Sequence, residues 1–210
     1  MKAISSIFSG VRRSCVCLLV LLSAARAGAQ EGGVNVALQG DAPTEGLIAS
    51  FEGPEADGMG WYRDTEDWKD VGISFRATSD GELRKVTFRV QAVRSDFQQE
   101  TKFRLEIYEN PGIGEHPLDG RKLYSGEGRL AIQRSDAGMY LTFDLGQSVP
   151  LLTGNSYSIL LIWEEPATVI VLQANPSYTE GFSWFRNETT EGKFKPANDS
   201  SRPGLTYFIQ

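Results

Sequence analysis

The stretch Leu83 to Val93, LRKVTFRVQAV, decides the fold class. Val86, Phe88, Val90 and Ala92 fall on one side of an extended chain, and Lys85, Thr87, Arg89 and Gln91 on the other. A period of two residues is that of a β-strand with one face on a core and one in water. Sliding this strand by one residue would drive its charges into the core, so its register is firmly set.

The same period recurs outward from that strand. Lys102 to Glu109 (KFRLEIYE) sets Phe103, Leu105 and Ile107 against Lys102, Arg104, Glu106 and Tyr108. Val71 to Ala77 places Val71, Ile73 and Phe75 together, and Met139 to Leu145 does so with Leu141, Phe143 and Leu145. Ser156 to Trp163 and Ala167 to Gln173 are apolar on both faces, as strands covered on each side would be. Leu47 to Phe51 and Leu205 to Ile209 are short first and last strands. Turn clusters separate these runs, among them Ser79-Asp80-Gly81, Asn110-Pro111-Gly112 and Thr153-Gly154-Asn155. No stretch of helical length carries a helical stripe. The expectation is an all-β fold, an antiparallel β-sandwich of the jelly-roll type.

The N-terminal residues read as an export signal. Lys2, Arg12 and Arg13 form a basic start, Cys15 to Leu22 an apolar run, and Ser23 to Ala29 offers cleavage after Ala27 or Ala29. The apolar run is far shorter than the ~20 residues a membrane span needs. Residues 1–29 are therefore expected to be removed, residues 30–46 to be a flexible, Gly-rich lead-in, and residues 47–210 to form one domain. A secreted or periplasmic location follows, with no membrane span after cleavage.

Cleavage sets the charge and the cysteine count of what remains. The signal holds Lys2, Arg12, Arg13 and Arg26 and no acid; removing these four from 21 basic residues leaves 17 against 27 acidic ones, a net charge of −10. That balance disfavours nucleic acid or an anionic membrane as partner. Both cysteines, Cys15 and Cys17, leave with the signal. The domain then has no disulfide, no thiolate nucleophile and no cysteine metal site.

Several motifs resemble the lectin-like jelly-roll modules of exported bacterial proteins. They are Ile73-Ser74-Phe75, Asp80-Gly81-Glu82-Leu83, Leu105-Glu106-Ile107-Tyr108 and the run from Tyr140 to Ile159. Tyr178-Thr179-Glu180-Gly181, Trp184-Phe185 and Asn198-Asp199 before the last strand continue the likeness, which spans roughly residues 70 to 210. The resemblance implies a fold more than a function, because its motifs are structural. Ala49 to Asp70 departs from the pattern.

Little in the chain points to catalysis. His116, the single histidine, stands in Gly112 to Pro117 (GIGEHP) without a neighbouring nucleophile, as a solvated loop residue would. A pair of carboxylates meeting in space is the remaining route, that of a glycoside hydrolase. Asn187-Glu188-Thr189 and Asn198-Asp199-Ser200 fit the N-glycosylation pattern and are read as ordinary loop residues.

The most suggestive stretch is Gly58 to Asp70, GMGWYRDTEDWKD. Trp61, Tyr62 and Trp68, with Trp184 from a second aromatic group, have the rings that stack on sugar faces. Asp64, Asp67 and Asp70 supply oxygens of the kind calcium takes, although their spacing is not that of an EF-hand. The plain alternative is that the tryptophans fold back onto the sandwich and the acids stay in water. Read together, the residues point to a non-catalytic exported binding module for glycans, with no cofactor other than calcium. The rivals are a structural or adhesive domain that contacts an envelope or extracellular protein, and the carboxylate-pair hydrolase.

Overall fold

The computed structural model describes residues 29–53, 57–175, 181–197 and 204–210. The expected signal, apart from Ala29, lies outside the described residues, as do Tyr178-Thr179-Glu180 and Asn198-Asp199-Ser200. Fourteen strands are described: β1 (Gln30–Gln39), β2 (Ala49–Phe51), β3 (Asp57–Arg63), β4 (Trp68–Arg76), β5 (Gly81–Val93), β6 (Phe97–Asn110), β7 (Arg121–Ile132), β8 (Tyr140–Leu151), β9 (Ser156–Trp163), β10 (Ala167–Asn175), β11 (Phe182–Asn187), β12 (Lys195–Pro196), β13 (Gly204–Leu205) and β14 (Tyr207–Ile209). No α-helix occurs among the described residues, and none is long and apolar enough to cross a membrane.

Nine of these strands close on themselves. The ring runs β10-β3-β4-β9-β6-β7-β1-β8-β5, and β5 returns to β10 through Ile170↔Val93, Val171↔Ala92 and Leu172↔Val90. The expected jelly-roll sandwich is thus overturned: the molecule is a closed β-barrel. Alternation of side chains states only that each strand has an inner face, which a barrel and a sandwich share. Which edges meet is decided by pairs far apart in sequence, and closure leaves the ring without a bare edge.

β1 occupies the stretch expected to be a flexible lead-in. Gln30 to Val34 pair parallel with Tyr124 to Gly128 of β7, and Asn35 to Gln39 pair antiparallel with β8. This strand joins the two halves of the ring, so the folded unit begins near residue 30 rather than 47. Val34, Val36 and Leu38 keep the two-residue period inside a polar sequence; Val34 is buried and the other two pack partly against the core. Tyr124 fills the seam, its hydroxyl donating to the carbonyls of Gly33 and Leu145 at 3.2 and 3.0 Å.

Bulges bend β5 so that it serves two neighbours. At its start the N–H groups of both Arg84 and Lys85 donate to the Gln210 carbonyl, leaving two successive exposed side chains before Val86. Near its end the register against β10 slips between Val90 and Ala92, and Val93 rather than Ala92 is the buried residue. Ala92 was expected to face inward; the extra residue reverses the alternation.

The ring pairs loosely at two places, where the remaining strands dock. β3 and β4 share only Tyr62↔Lys69 and Arg63↔Trp68, and β11 takes the rest of that edge of β4. The first part of β5 pairs with β14 instead of β10, and β14 carries β2. These additions gather toward the end of the barrel that bears the turns after β4, β6 and β8, called here the upper end. The interior is filled by side chains: Phe75, Phe88, Phe103, Phe143, Tyr157 and Trp163 are all essentially buried.

Candidate functional site

The expected aromatic site is a hairpin. Its strands are β3 and β4, and its turn is held by Asp64, whose carboxylate accepts the N–H groups of Glu66 and Asp67 at 2.8 and 2.6 Å. Those bonds, Asp67's first, hold the Asp64 carboxyl below its ordinary range. Gly58 and Gly60 both stand within strand β3. A Cβ at Gly58 would meet Gln91 Oε1 and Val171 Cγ1, so those side chains would have to shift to admit one.

Alternation along β3 then sends Trp61 and Tyr62 to opposite sides. Trp61 is fully buried in the barrel, stacked on Trp163 with 4.0 Å between ring centroids and edge-on to Phe103 and Phe143. Tyr62 faces out, and its hydroxyl donates to Asp67 Oδ2 at 2.8 Å. Partial burial, then the bond to Asp67 and the nearby charges of Asp67 and Asp64, push this phenol up to about 12 against the pull of Arg94.

Trp68 is half-buried between two cations. The Arg63 and Arg186 guanidinium carbons lie 5.2 and 5.8 Å from its ring centre, and Arg186 also lies over Phe194 at 4.8 Å. Beneath them Asp70 is fully buried, accepting from Arg186 Nε at 2.8 Å and the Trp163 N–H at 3.1 Å, with Arg63 at 3.8 Å. Burial raises the Asp70 carboxyl above its ordinary range although Arg186, the Trp163 N–H and Arg63 all lower it. Asp64, Asp67 and Asp70 are each engaged separately, and no cluster of three or more potential metal ligands occurs among the described residues.

Trp184, on β11, covers the outer face of the ring. It packs in a second apolar cluster with Tyr108, Leu160, Ile162 and Phe194, and is the cross-strand partner of Gly72 of β4. A hydrogen-bonded chain runs under it: Trp184 Nε1 donates to Ser74 Oγ (2.6 Å), which meets Ser158 Oγ (2.7 Å), which donates to Asn110 Oδ1 (2.7 Å). Asn110 Nδ2 in turn donates to the carbonyls of His116 and Pro117, fixing the loop after β6. His116 Nδ1 accepts the Leu118 N–H at 3.3 Å and its ring stands edge-on to Trp184. It is a loop histidine built into a turn. Asn187 likewise caps a turn, its Oδ1 accepting from Thr189 and Thr190.

The four aromatic residues therefore do not line one groove. Trp61 and Trp184 are buried packing residues, and Tyr62 and Trp68 are half-buried beside Asp67 and the two arginines.

A recess that the sequence did not reveal lies at the upper end. It encloses about 660 Å³ between Ser50, Arg76, Thr78, Ile113, Phe182 and Tyr207. A second, more polar hollow of about 420 Å³ adjoins it, and Arg76 and Gly154 line both. In that hollow Glu109 is fully engaged: Arg121 Nε and one terminal nitrogen reach Oε2 at 3.2 and 2.6 Å, and Asn155 Nδ2 reaches Oε1 at 2.9 Å. Arg76 and Asp119, by contrast, make no side-chain hydrogen bond or ion pair among the described residues. Leu118 and Leu152, the exposed large hydrophobic residues among those described, stand on the loops of the same end. No single sequence motif marks this place, since its residues come from six separate segments. A scan against protein families finds no match to the chain, and a search of curated proteins finds none.

Proposed function

We propose that the chain is an exported, non-catalytic binding module whose ligand site is the recess at the upper end of the barrel, and that the ligand is a glycan. One observation carries this reading: the recess is of ligand size and combines a partly exposed ring, Phe182, with polar groups from Ser50, Arg76 and Thr78. Sugar binding asks for that mixture, an apolar wall for C–H groups beside donors and acceptors for hydroxyls. The engaged state of Glu109 supports a binding role over hydrolysis, because a carboxylate whose two oxygens are already bonded is poorly placed to act as acid or nucleophile.

The test is an affinity-gel or glycan-array screen of the processed protein, run with and without calcium. Retardation of the wild type, lost in Phe182→Ala while circular dichroism is unchanged, is the expected result. A folded wild type that no glycan in a broad panel retards ends the reading.

A second reading, a protein-interaction domain, is favoured by the exposure of Leu118 and Leu152 on loops of this same end. It expects a defined partner in pull-downs that a Leu118→Ser, Leu152→Ser double variant no longer captures.

A further inference from the structure

The two adjoining hollows differ in lining, and Arg76 is what they share. Arg76 ends β4, opposite Ser156 of β9, where the strand leaves the sheet; the residue is exposed and lines both spaces. It stands apart from the other arginines of this outer face. Arg104 is held by Glu164 and Glu106, Arg121 by Glu109, and Arg186 by Asp70. Arg76 has no carboxylate partner among the described residues, although the processed chain carries ten more acidic than basic side chains. A cation without an ion pair among the described residues, at the junction of two recesses in so acidic a protein, is a candidate to receive an incoming anion.

We infer that the upper recess takes a saccharide bearing a single anionic group, a ring carboxylate or a sulfate ester, which Arg76 holds while Phe182 faces the ring. The inference rests on the glycan reading above and names its ligand class. Arg76 supplies a planar fork of N–H donors that matches two acceptor oxygens. Phe182 lines the same recess from β11, the strand beside β4, and packs against Trp184 with ring centroids 5.9 Å apart. Asp119 and Glu109, in the adjoining hollow, argue for one charge rather than many. A polyanion laid across this end would meet them and the net negative field of the protein, whereas one terminal acidic residue meets Arg76 alone.

The experiment compares matched ligands by titration calorimetry: a glucuronate-terminated oligosaccharide, its methyl ester, and a sulfated counterpart, each against wild type, Arg76→Gln, Arg76→Lys and Phe182→Ala. The wild type is expected to bind the acid or sulfate about tenfold or more tightly than the ester. Arg76→Gln should bind all three alike at the weak level, and Phe182→Ala should weaken all of them. Equal affinity of wild type for acid and ester, with Arg76→Gln indistinguishable from wild type, overturns the anionic inference and leaves the glycan reading standing. No binding of any ligand by folded wild type removes both. Arg76→Lys separates fork from charge: retained preference for the anion with reduced affinity supports the assignment, and unchanged affinity removes the role given to the planar fork.

Discussion

Trp61 and Trp163 lie face to face inside the barrel, their ring centroids 4.0 Å apart and their planes 15° from parallel. One indole comes from β3 and the other from β9, separated in the ring by β4. Phe103 and Phe143 meet this stack edge-on, so the pair anchors a four-ring cluster that fills the interior. Neither indole N–H has a hydrogen-bond partner among the described residues. Packing is what holds these rings in place.

Replacing either indole should therefore cost stability rather than ligand affinity. Trp61→Ala and Trp163→Ala are each expected to lower the unfolding free energy by about 3–5 kcal/mol. Urea unfolding followed by fluorescence measures the loss. A Trp61→Ala protein with near wild-type stability would show that the ring is not a core element.

Removal of β1 should unseat the barrel. A chain beginning at Gly40 leaves the edges of β7 and β8 without their partner strand. Exposed strand edges invite pairing with other chains, so self-association is expected along with a lower unfolding temperature. Light scattering of the truncated protein checks this. A stable monomer would mean that β1 is an accessory strand.

Glu106 ties stability to acid. Its carboxylate is nearly buried, accepting from the Tyr108 hydroxyl at 2.8 Å and Lys122 Nζ at 2.7 Å, with Arg104 Nε at 3.1 Å. Burial favours the neutral form, but the bonds from Lys122 and Tyr108 and the charges of Lys122 and Arg104 win, so its pKa falls below the ordinary 4.5. A lowered folded value means that the unfolded chain binds the proton first as pH falls. The stabilisation is then complete above pH 4.5 and is lost as pH drops through the folded value. Glu106→Gln should be less stable near neutrality by about 1–2 kcal/mol, the figure being reduced because Lys122 and Arg104 are partly in water. Unfolding curves across acid pH should bring variant and wild type together below pH 4.5. A gap that stays constant with pH would contradict the ionic role.

Gly72 stands where β4 leaves no room for a side chain against β9. A Cβ at this position would come within 2.5 Å of Leu160 Cδ2 and 2.7 Å of the Ile159 carbonyl oxygen, and the second contact is backbone that yields little. Gly72→Ala is expected to cost about 1–3 kcal/mol through overpacking. It should also alter the near-ultraviolet dichroism of the covered face. An unperturbed spectrum with unchanged stability would show that the sheet relaxes freely there.

Much of the strand content could be read in advance, yet the site could not. Trp61 and Tyr62 are neighbours in sequence, and their opposite fates follow from alternation once β3 is known to be a strand. Gly58 and Gly60 hid that strand, because glycine suits a turn as well as it suits a place where Gln91 and Val171 crowd the backbone. β7 was missed for a similar reason: Gly126 and Gly128 interrupt its pattern where Tyr124 and Phe103 occupy the space a side chain would take. That Arg76 has no ion pair among the described residues has no local signature at all, since it depends on which carboxylates other strands bring near.

Sequence alone determined the local alternation: Val86, Phe88 and Val90, or Phe103, Leu105 and Ile107, face inward because a pleated chain turns successive side chains to opposite sides. Only the tertiary structure decided that the strands close into a ring, that Gln30 to Gln39 join it, and that Trp61, Trp163 and Trp184 pack while Arg76 has no ion pair among the described residues. Those outcomes are set by pairings between distant segments, whose free energies a periodicity along one strand does not contain.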